Sequence, residues 1–420
     1  GSSNCRGGPR VVPPSLRMGH PERVISVEDH LTCDVGRMRR ERLTRLRQHM
    51  AAQDVAAVLL LHGPHVAYAS GHVGPAVDTT HAVHQRSVAI IGQEGPVHLF
   101  ADRPSPDLAA EIHPPVFPEL DESMAGLAEA IGMATEPSNA GRLAIDEMTG
   151  AMLRSGLLDG FDLLDAGRIL GPARLVKTED ELACIDRAQR INEVAMEEVR
   201  TACLPGVRRS ELAGLFISRV RQLGVDDVLI DPIFQPMPRN LSDGPRTSTD
   251  HVAFPTGVGD PLFNEEDLVW VDTGIGVEGY ASDYGRTWVV GRDPSSAEQD
   301  LFRRWSAVME ASLAAIGPGA TLAEVGRAAI GASRGAIPWL PHFYLAHGLG
   351  VESAEMPMVG TDLGEGFDEQ FVLETGMVLV LEPVVWEDGV GGYRAEEVVA
   401  ITDTGWRPLG GWPGHLGFES

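Results

Sequence analysis

The sequence predicts a two-domain protein, in which an α/β domain is followed by an α+β domain. Its length of 420 residues exceeds one ordinary domain, and its hydrophobic content of 43% is enough for substantial cores. Up to about residue 170, apolar runs alternate with helical stretches rich in alanine, leucine and glutamate, the pattern of a mostly buried sheet with helices on its faces. Beyond that point, pairs of helical patterns are followed by β-rich stretches, which predicts a domain of a different class.

The net charge of the chain and the spacing of its cysteines indicate which partners and which cellular compartment to expect. A formal charge of −26 and a pI near 4.9 argue against nucleic acid or an anionic membrane as a partner, because phosphate binding needs a basic surface. The four cysteines show no C-x-x-C spacing, which indicates a reducing compartment. The sequence has neither a run of eighteen apolar residues nor the apolar core of a signal peptide, so we expect a cytoplasmic protein.

The N-terminal part divides into a tail and the first domain. Residues 1–35 are rich in proline and glycine and predict either a tail or an arm that lies on a neighbouring molecule. The first domain, residues 36–170, opens with an amphipathic helix at residues 37–53 and a buried strand at residues 55–61. Its further elements are predicted as strands at residues 87–91, 97–100 and 143–146 and a helix at residues 122–132.

The second domain, residues 171–420, is predicted to begin at the helix-breaking residues Gly171 and Pro172. Thr178 and Glu181 then form a capping-box pattern that predicts the start of a long helix. The remaining elements are predicted as helices at residues 210–224, 296–316 and 321–333, a proline-rich loop at residues 231–259, a hairpin at residues 267–291, and strands at residues 377–386 and 393–402.

The hairpin at residues 267–291 carries two aspartates. Alternation along its first strand puts Asp272 on the same face as Leu268 and Trp270, and Asp283 follows in the second strand. Two neighbouring carboxylates in a hydrophobic sheet raise each other's pKa and desolvation cost unless a cation lies between them. Since carboxylate oxygens suit hard or borderline divalent ions, the hairpin predicts a metal site.

The same hairpin contains a glycine motif with the spacing of a dinucleotide-binding fingerprint. Gly274, Gly276 and Gly279 spell G-x-G-x-x-G after a strand, but that motif must open a helix. Here it leads into aromatic and β-branched residues, which favour a second strand. We therefore interpret the three glycines as turn residues.

The closing part of the chain supplies the remaining candidate ligands. Alternation puts Glu382 on the inward face of the first closing strand and Glu396 on the inward face of the second. His347 opens the sequence HGLG before them. Any one of these residues alone would more often be structural, so the hypothesis rests on the whole ordered set. Four carboxylates and one imidazole suit two divalent ions.

This ordered set resembles the pita-bread metalloenzymes, which include methionine aminopeptidase, prolidase, Xaa-Pro aminopeptidase and creatinase. The similarity lies in D-x10-D, then HGxG, then a strand ending in EP, then R-x-E, and it runs from RLVKTEDELACIDRAQ to the end of the chain. The stretch DVAAVLLLHGPHVAYASG resembles the N-terminal domain of the creatinase and prolidase branch. The resemblance implies a creatinase-like α/β domain, a pita-bread α+β catalytic domain, and hydrolysis of a C–N bond in a small amide, dipeptide or peptide-like substrate.

The resemblance also implies a role for each ligand. Asp272 chelates one ion, Asp283 and Glu396 bridge both, and the shell of the second ion is completed by His347 and Glu382. The two ions are manganese, cobalt, iron or zinc, because an oxygen-rich shell admits each of them.

His347, Glu382 and Arg394 are the candidate catalytic residues. Glu382 can shuttle a proton to the leaving group. Arg394 lies two residues before Glu396 on the same face, so it either pairs with a substrate carboxylate or holds Glu382 or Asp272 in place.

Several departures from the family pattern concern the substrate. Peptidases of this family carry a second histidine seven residues after the HGxG histidine, where this chain has Ala354. A further histidine, expected before the first metal aspartate, falls near Phe254 and Pro255, with His251 nearby. These histidines steady the scissile carbonyl, so their absence argues against ordinary peptide hydrolysis. The candidate substrate-binding positions are Arg394, His342, Ala354 and His251.

Two alternative functions follow from the same stretch. The loop SDGPRT, residues 242–247, resembles that of dimethylsulfoniopropionate lyases, which predicts elimination from a small zwitterion as the second candidate. Those lyases carry two further aspartates where this chain has Gly274 and Ser353, so that match is also incomplete. The third candidate is a pita-bread binding protein without catalysis, which has no physical need for five converging ligands.

A cluster of histidines in the first domain is the last candidate site. In the creatinase branch this domain helps to cover the active site of the partner protomer, so we expect a homodimer. The cluster predicts substrate contact across the dimer, a second metal site, or exposed loop residues. Its members are His62, His65, His72, His81 and His84.

Overall fold

The computed structural model describes residues 33–74, 86–101, 110–136, 141–229, 232–243, 260–412, 415 and 418. The predicted tail therefore lies almost entirely outside the described residues. Within the described ranges, no helix combines the length and the apolar character that crossing a membrane requires.

The first domain is built on a six-stranded mixed sheet. Its elements are, in chain order, α1 (Val35–Ala52), β1 (Val55–Leu60), α2 (Gly63–Ser70), β2 (Val88–Gly92), β3 (Val97–Phe100), β4 (Ala110–His113), α3 (Met124–Thr135), β5 (Arg142–Ile145), α4 (Gly150–Ser155), β6 (Asp162–Asp165) and α5 (Gly167–Leu175). The strand order is β4-β3-β2-β1-β5-β6, with β1 antiparallel to β2 and parallel to β5.

Both faces of the central strand β1 are covered by helices. Val58 and Leu60 pack in one cluster with residues of α1 and α5, whereas Ala57 and Leu59 pack in another with residues of α3. The strand is buried along its whole length, as its uninterrupted apolar sequence requires. The predicted buried sheet with helices on its faces is thus confirmed.

Helix α5 differs from the sequence-based expectation. Gly171 and Pro172 were predicted to break the chain, but both lie inside α5. Proline removes the N–H that would bind the carbonyl four residues earlier, which is that of Arg168. The side-chain amide of Gln53 donates to this carbonyl at 2.7 Å, so a tertiary contact replaces the missing helical bond. The predicted domain boundary at residue 170, which stays a prediction, falls within this helix.

The second domain contains helix pairs and antiparallel strands. Its elements are α6 (Glu179–Ala202), α7 (Arg209–Gln222), β7 (Asp227–Val228), β8 (Ile233–Met237), β9 (Leu268–Thr273), β10 (Ile275–Val277), β11 (Tyr280–Ala281), β12 (Tyr284–Val289), α8 (Ser296–Ala315), α9 (Leu322–Ala332), β13 (Ala346–Gly348), β14 (Glu355–Val359), α10 (Glu365–Asp368), β15 (Val378–Leu381), β16 (Val384–Glu387), β17 (Gly391–Arg394), β18 (Glu397–Thr402) and β19 (Gly405–Pro408). The capping box of Thr178 and Glu181 begins α6 as predicted.

Three groups of strands position the candidate ligands. One sheet has the order β12-β9-β8, a second has the order β14-β13-β15-β18-β19, and β16 pairs with β17 alone. Strands β9 and β12 form the predicted hairpin with antiparallel pairing. Of the three glycines interpreted as turn residues, only Gly279 has a positive φ, whereas Gly276 lies in β10 and pairs with Ala281, so that interpretation is wrong for Gly276. Strand β8 was predicted to be loop because of its prolines. Pro236 is tolerated there because β8 is an edge strand of its sheet.

Candidate metal centre

Each of the four acidic ligand candidates lies where a strand ends or is interrupted. Asp272 is the penultimate residue of β9, and Asp283 falls in the gap between β11 and β12. Glu382 follows β15 and Glu396 precedes β18. The prediction of continuous strands through Asp283, Glu382 and Glu396 is therefore wrong. Strand β15 ends before Glu382 because the next residue, Pro383, has no N–H to donate to a neighbouring strand.

These breaks bring the predicted ligands together. Asp272, Asp283 and Glu396 offer carboxylate oxygens that all lie within 4.8 Å of one another. Nε2 of His347 lies 3.3 Å from Oδ2 of Asp283 and 3.5 Å from Oε1 of Glu382. All five side chains are buried. Residues far apart in sequence thus meet in one cluster, which we call the carboxylate cluster.

The orientation of His347 suits a metal ligand. Strand β13 holds it between β14 and β15, where it pairs with Met358 and Val380. Its Nδ1 lies 2.8 Å from the carbonyl oxygen of Gly348. A proton on Nδ1 donates to that oxygen and leaves Nε2, which faces the carboxylates, with a free lone pair.

Arg394 lies inside the carboxylate cluster. Its Nη2 is 3.2 Å from Oδ2 of Asp272 and 2.6 Å from Oε2 of Glu382, and it also contacts Oε1 of Glu396. The backbone N–H of Arg394 donates to Oγ1 of Thr287 at 2.9 Å. A buried guanidinium that is bonded to three carboxylates favours the predicted role of holding ligands over the predicted capture of a substrate carboxylate.

A glycine makes room for this arrangement. Gly285 pairs with Asp272 across the hairpin, and a Cβ at this position would lie 2.6 Å from Cδ of Glu396 and 2.9 Å from Nη1 of Arg394. Any other residue would therefore displace a predicted ligand.

The buried carboxylates of the cluster favour the binding of a cation. Burial raises the pKa of Asp283 well above its usual range, and the charges of Asp272 and Glu382 raise it further. Burial likewise raises the pKa of Glu396. Among the described residues, Oδ1 of Asp272, Oδ1 of Asp283 and Oε2 of Glu396 have no hydrogen-bond partner. Buried carboxylate oxygens without donors are costly unless they coordinate a metal, so these residues fit divalent cations.

Helix α6 holds the hairpin that carries both aspartates. The side chain of Gln189 donates to the carbonyl of Asp283 at 2.7 Å and accepts from its N–H at 3.1 Å. Asn192 donates to the carbonyl of Thr273 at 2.8 Å and to Oγ of Ser282 at 3.0 Å. Sequence reasoning missed these two residues because nothing in their helical context marks them as contacts of a distant hairpin.

Tyr344 is a third residue that sequence reasoning missed. Its ring meets His347 edge-on with 5.2 Å between ring centroids, and Phe343 stacks on it. Burial raises the pKa of Tyr344, and so do the carboxylates of Glu382 and Asp283. The only signal in the sequence was an aromatic residue three positions before His347.

The predicted substrate-binding residues lie elsewhere or outside the described residues. His342 is exposed, and its Nδ1 lies 2.6 Å from Oδ2 of Asp362. Ala354 is exposed in the bend before β14. His251, like the predicted positions Phe254 and Pro255, lies outside the described residues.

Three of the clustered histidines contact groups of their own chain. Nε2 of His62 lies 3.2 Å from Oε1 of Glu352, and His65 and His72 lie against Asp146 and Ser87 respectively. His62, His65 and Glu352 have the spacing of a metal site, but Arg174 already binds the second oxygen of Glu352. His81 and His84 lie outside the described residues.

A model described as metallopeptidase family M24 matches residues 183–403, which is more than half of the chain. The chain belongs to metallopeptidase family M24. A model of the creatinase/prolidase N-terminal domain matches residues 42–176. This M24 protein therefore has the predicted creatinase-like domain followed by a pita-bread domain, and it is a metal-dependent hydrolase of the peptidase type.

Individual relatives agree with this assignment. An uncharacterised peptidase of Bacillus subtilis is 28% identical over 265 residues, which cover 62% of this chain and 69% of the relative. An X-Pro aminopeptidase from Thermotoga maritima has the same fold with a TM-score of 0.69 at 22% identity, covering 88% of this chain and 97% of that one. A prolidase from Thermococcus sibiricus gives a TM-score of 0.70 at 22% identity, with coverage of 89% and 97%.

Proposed function

We propose that this M24 protein binds two divalent cations at the carboxylate cluster and hydrolyses a C–N bond in a compact amide or dipeptide-like substrate. The observation that carries the proposal is the set of buried carboxylate oxygens on Asp272, Asp283 and Glu396 that have no donor among the described residues. The residues that would hold the cations are Asp272, Asp283, His347, Glu382 and Glu396, with Asp283 and Glu396 expected to be shared between them as the family resemblance implies.

Glu382 and Arg394 have different roles in the proposed reaction. Cations bound at the cluster lower the pKa of a water molecule and polarise the scissile carbonyl. Oε2 of Glu382 accepts from Arg394, which leaves Oε1 on the side of His347 to take a proton and pass it to the leaving amine. Arg394 keeps Glu382, Asp272 and Glu396 in position and offsets part of their charge.

The preferred substrate is inferred from two imidazoles that the family resemblance expects and this chain lacks. Ala354 has no donor to offer where the resemblance expects an imidazole, and the sequence near Phe254 lacks a second one. Removing one donor to a developing oxyanion costs about a hundredfold or more in rate. Xaa-Pro dipeptides are therefore poor substrates, and a compact substrate with an apolar or quaternary group is preferred.

Metal content tests the proposed ligands. We expect two equivalents of manganese, cobalt, iron or zinc in the reconstituted wild-type protein, and fewer in Asp283→Ala and Glu396→Ala together with loss of activity. Asp121→Ala is the matched control, because its carboxylate is exposed and pairs with Arg154 in the first domain. Circular dichroism shows whether each variant is folded. Two equivalents retained at wild-type affinity in either cluster variant would remove that residue from the ligands.

A substrate panel tests the reaction. Proline dipeptides, N-acyl amino acids, guanidines that resemble creatine, and dimethylsulfoniopropionate are assayed with each metal. We expect the best turnover on a C–N bond outside the proline dipeptides. Cleavage of Xaa-Pro dipeptides with a kcat/KM of about 10⁴ M⁻¹s⁻¹ or above would identify an ordinary prolidase. Efficient elimination from dimethylsulfoniopropionate would favour the lyase.

A further inference from the structure

Two cysteines that are far apart in the chain lie side by side. Cys33 precedes α1 and is half-buried, whereas Cys184 lies in α6 and is buried. The thiol of Cys184 donates to Sγ of Cys33, and the two sulfur atoms are 3.1 Å apart across 151 positions of sequence. A disulfide bond is about 2.05 Å long, so an approach of about 1 Å would close it.

Contacts beside the two sulfur atoms hold them in this position. The backbone N–H of Asp34 donates to Oδ1 of Asp180 at 3.0 Å, and Nε of Arg37 donates to Oδ2 of the same carboxylate at 2.6 Å. Asp180 lies one helical turn before Cys184, and Asp34 directly follows Cys33. These bonds hold the segment that carries Cys33 against the helix that carries Cys184.

We propose that Cys33 and Cys184 form an oxidation site, at which a hydroperoxide converts the two thiols into a reversible disulfide. The bond joins the segment that precedes the creatinase/prolidase N-terminal match to a helix of the M24 match, so it ties the two parts of the chain together covalently. Because α6 also holds the hairpin of the carboxylate cluster, the disulfide fixes the helix on which that hairpin rests.

The pKa and the exposure of each thiol indicate its role in the reaction. The hydrogen bond from Cys184 lowers the pKa of Cys33, and Cys33 is the more exposed of the two. The same hydrogen bond and burial raise the pKa of Cys184. Cys33 is therefore the attacking thiolate, and Cys184 is the thiol that resolves the product.

The reaction is balanced in two steps. The Cys33 thiolate attacks one peroxide oxygen, the O–O bond breaks, and the other oxygen leaves as water or an alcohol after taking a proton. The sulfur of Cys184 then attacks the Cys33 sulfenic acid, and the hydroxyl group leaves with the Cys184 proton as water. Two electrons pass from the thiols to the peroxide, and a thiol reductant returns them.

Mapping the thiols of the full-length protein tests the proposal. Reduced protein is treated with hydrogen peroxide, capped with N-ethylmaleimide and digested without reduction for mass spectrometry. We expect one peptide that links Cys33 to Cys184, loss of two free thiols, and recovery of both with dithiothreitol. Four thiols retained after peroxide, a link to Cys5 or Cys203 instead, or links only between chains would overturn the proposal, and none of these outcomes depends on a variant.

Variants and stability give a second readout. Cys33→Ser and Cys184→Ser each lose the link, and Cys184→Ser accumulates a Cys33 sulfenic acid that dimedone traps. Cys203→Ser is the matched control, because Cys203 is buried at the end of the same helix and keeps the link intact. Closing so long a loop raises the Tm of the oxidised wild-type protein by about 5 °C. An unchanged Tm in fully linked protein would show that the bond does not constrain the fold.

Discussion

At the scale of single residues, charge balance explains why the cluster requires cations. Four buried carboxylates face one guanidinium and one imidazole, so ionising all four would leave excess negative charge in a buried site. Isolated buried charges cost several kcal/mol each unless they are paired. Metal binding therefore stabilises the fold as well as supplying chemistry, and removal of metal should lower the free energy of unfolding.

The ring of Tyr344 meets that of His347 edge-on, which makes the Tyr344 hydroxyl a candidate donor at the active site. We expect Tyr344→Phe to lower kcat about tenfold or more, because the phenol is a donor beside the cluster, while metal content stays at the wild-type level. The phenyl ring preserves the packing against His347 and Phe343. Tyr68→Phe is the control, since it removes a buried hydroxyl that bonds the carbonyl of Ala173 in the first domain. An unchanged kcat in Tyr344→Phe would leave Tyr344 with a packing role alone.

Glu193 gives the stability a pH dependence of known sign. Burial raises its pKa from 4.5 to about 7, although it accepts hydrogen bonds from the N–H groups of Gly411 and Trp412. Between these two pH values the folded state keeps a proton that the unfolded state has released, so stability falls as pH rises through this window. A shift of this size corresponds to about 3 kcal/mol.

We expect Glu193→Gln to remove this loss, as measured by urea unfolding at several pH values between about 4.5 and 8. Glu197→Gln, one turn further along α6 and half-exposed, should keep the pH profile of the wild type. Parallel profiles for the wild type and Glu193→Gln would contradict the assignment.

At the scale of elements, α6 positions the hairpin of the carboxylate cluster through buried polar contacts. We expect Asn192→Ala to lower the free energy of unfolding by about 2 to 4 kcal/mol, because it removes the bonds that Asn192 donates to the carbonyl of Thr273 and to Oγ of Ser282 and the one that it accepts from Oγ1 of Thr273. Metal affinity should fall as well, since Thr273 adjoins Asp272. Gln222→Ala on the exposed end of α7 is the control and should change stability by less than about 0.5 kcal/mol. A variant as stable as the wild type would show that the hairpin holds itself in place.

The elements also show how far the sequence could predict this fold. The capping box before α6 and the hairpin of β9 and β12 depend on local spacing, and both were predicted. Two prolines that predict a break or a loop lie inside regular elements, for reasons that only the tertiary structure shows. Pro172 stays in a helix because of Gln53, and Pro236 stays in a strand because β8 is at an edge. In the candidate site, the ligand types follow from sequence order, whereas Asn192 and Tyr344 act through tertiary contacts that no local pattern records.

At the scale of the whole molecule, ion pairs join α5 and the residues between α5 and α6 to the stretch from the bend after His347 to the start of β14. Nζ of Lys177 lies 2.7 Å from Oε1 of Glu355, and Arg174 binds both Glu355 and Glu352. Glu352 in turn meets His62 at the start of α2. Because removing one partner of a buried pair leaves an unpaired charge, this network fixes the two domains relative to each other around the candidate site.

The contacts of the first-domain histidines concern the expected homodimer. Among the described residues, His62, His65 and His72 contact groups of their own chain, and His81 and His84 lie outside the described ranges. We still expect a dimer of about 90 kDa, twice the chain mass of 45.1 kDa, because the creatinase/prolidase N-terminal domain is present. Sedimentation velocity at micromolar concentration measures this mass, and activity per chain should fall on dilution if the partner completes the site. A fully active monomer at that concentration would show that one chain builds the whole active site.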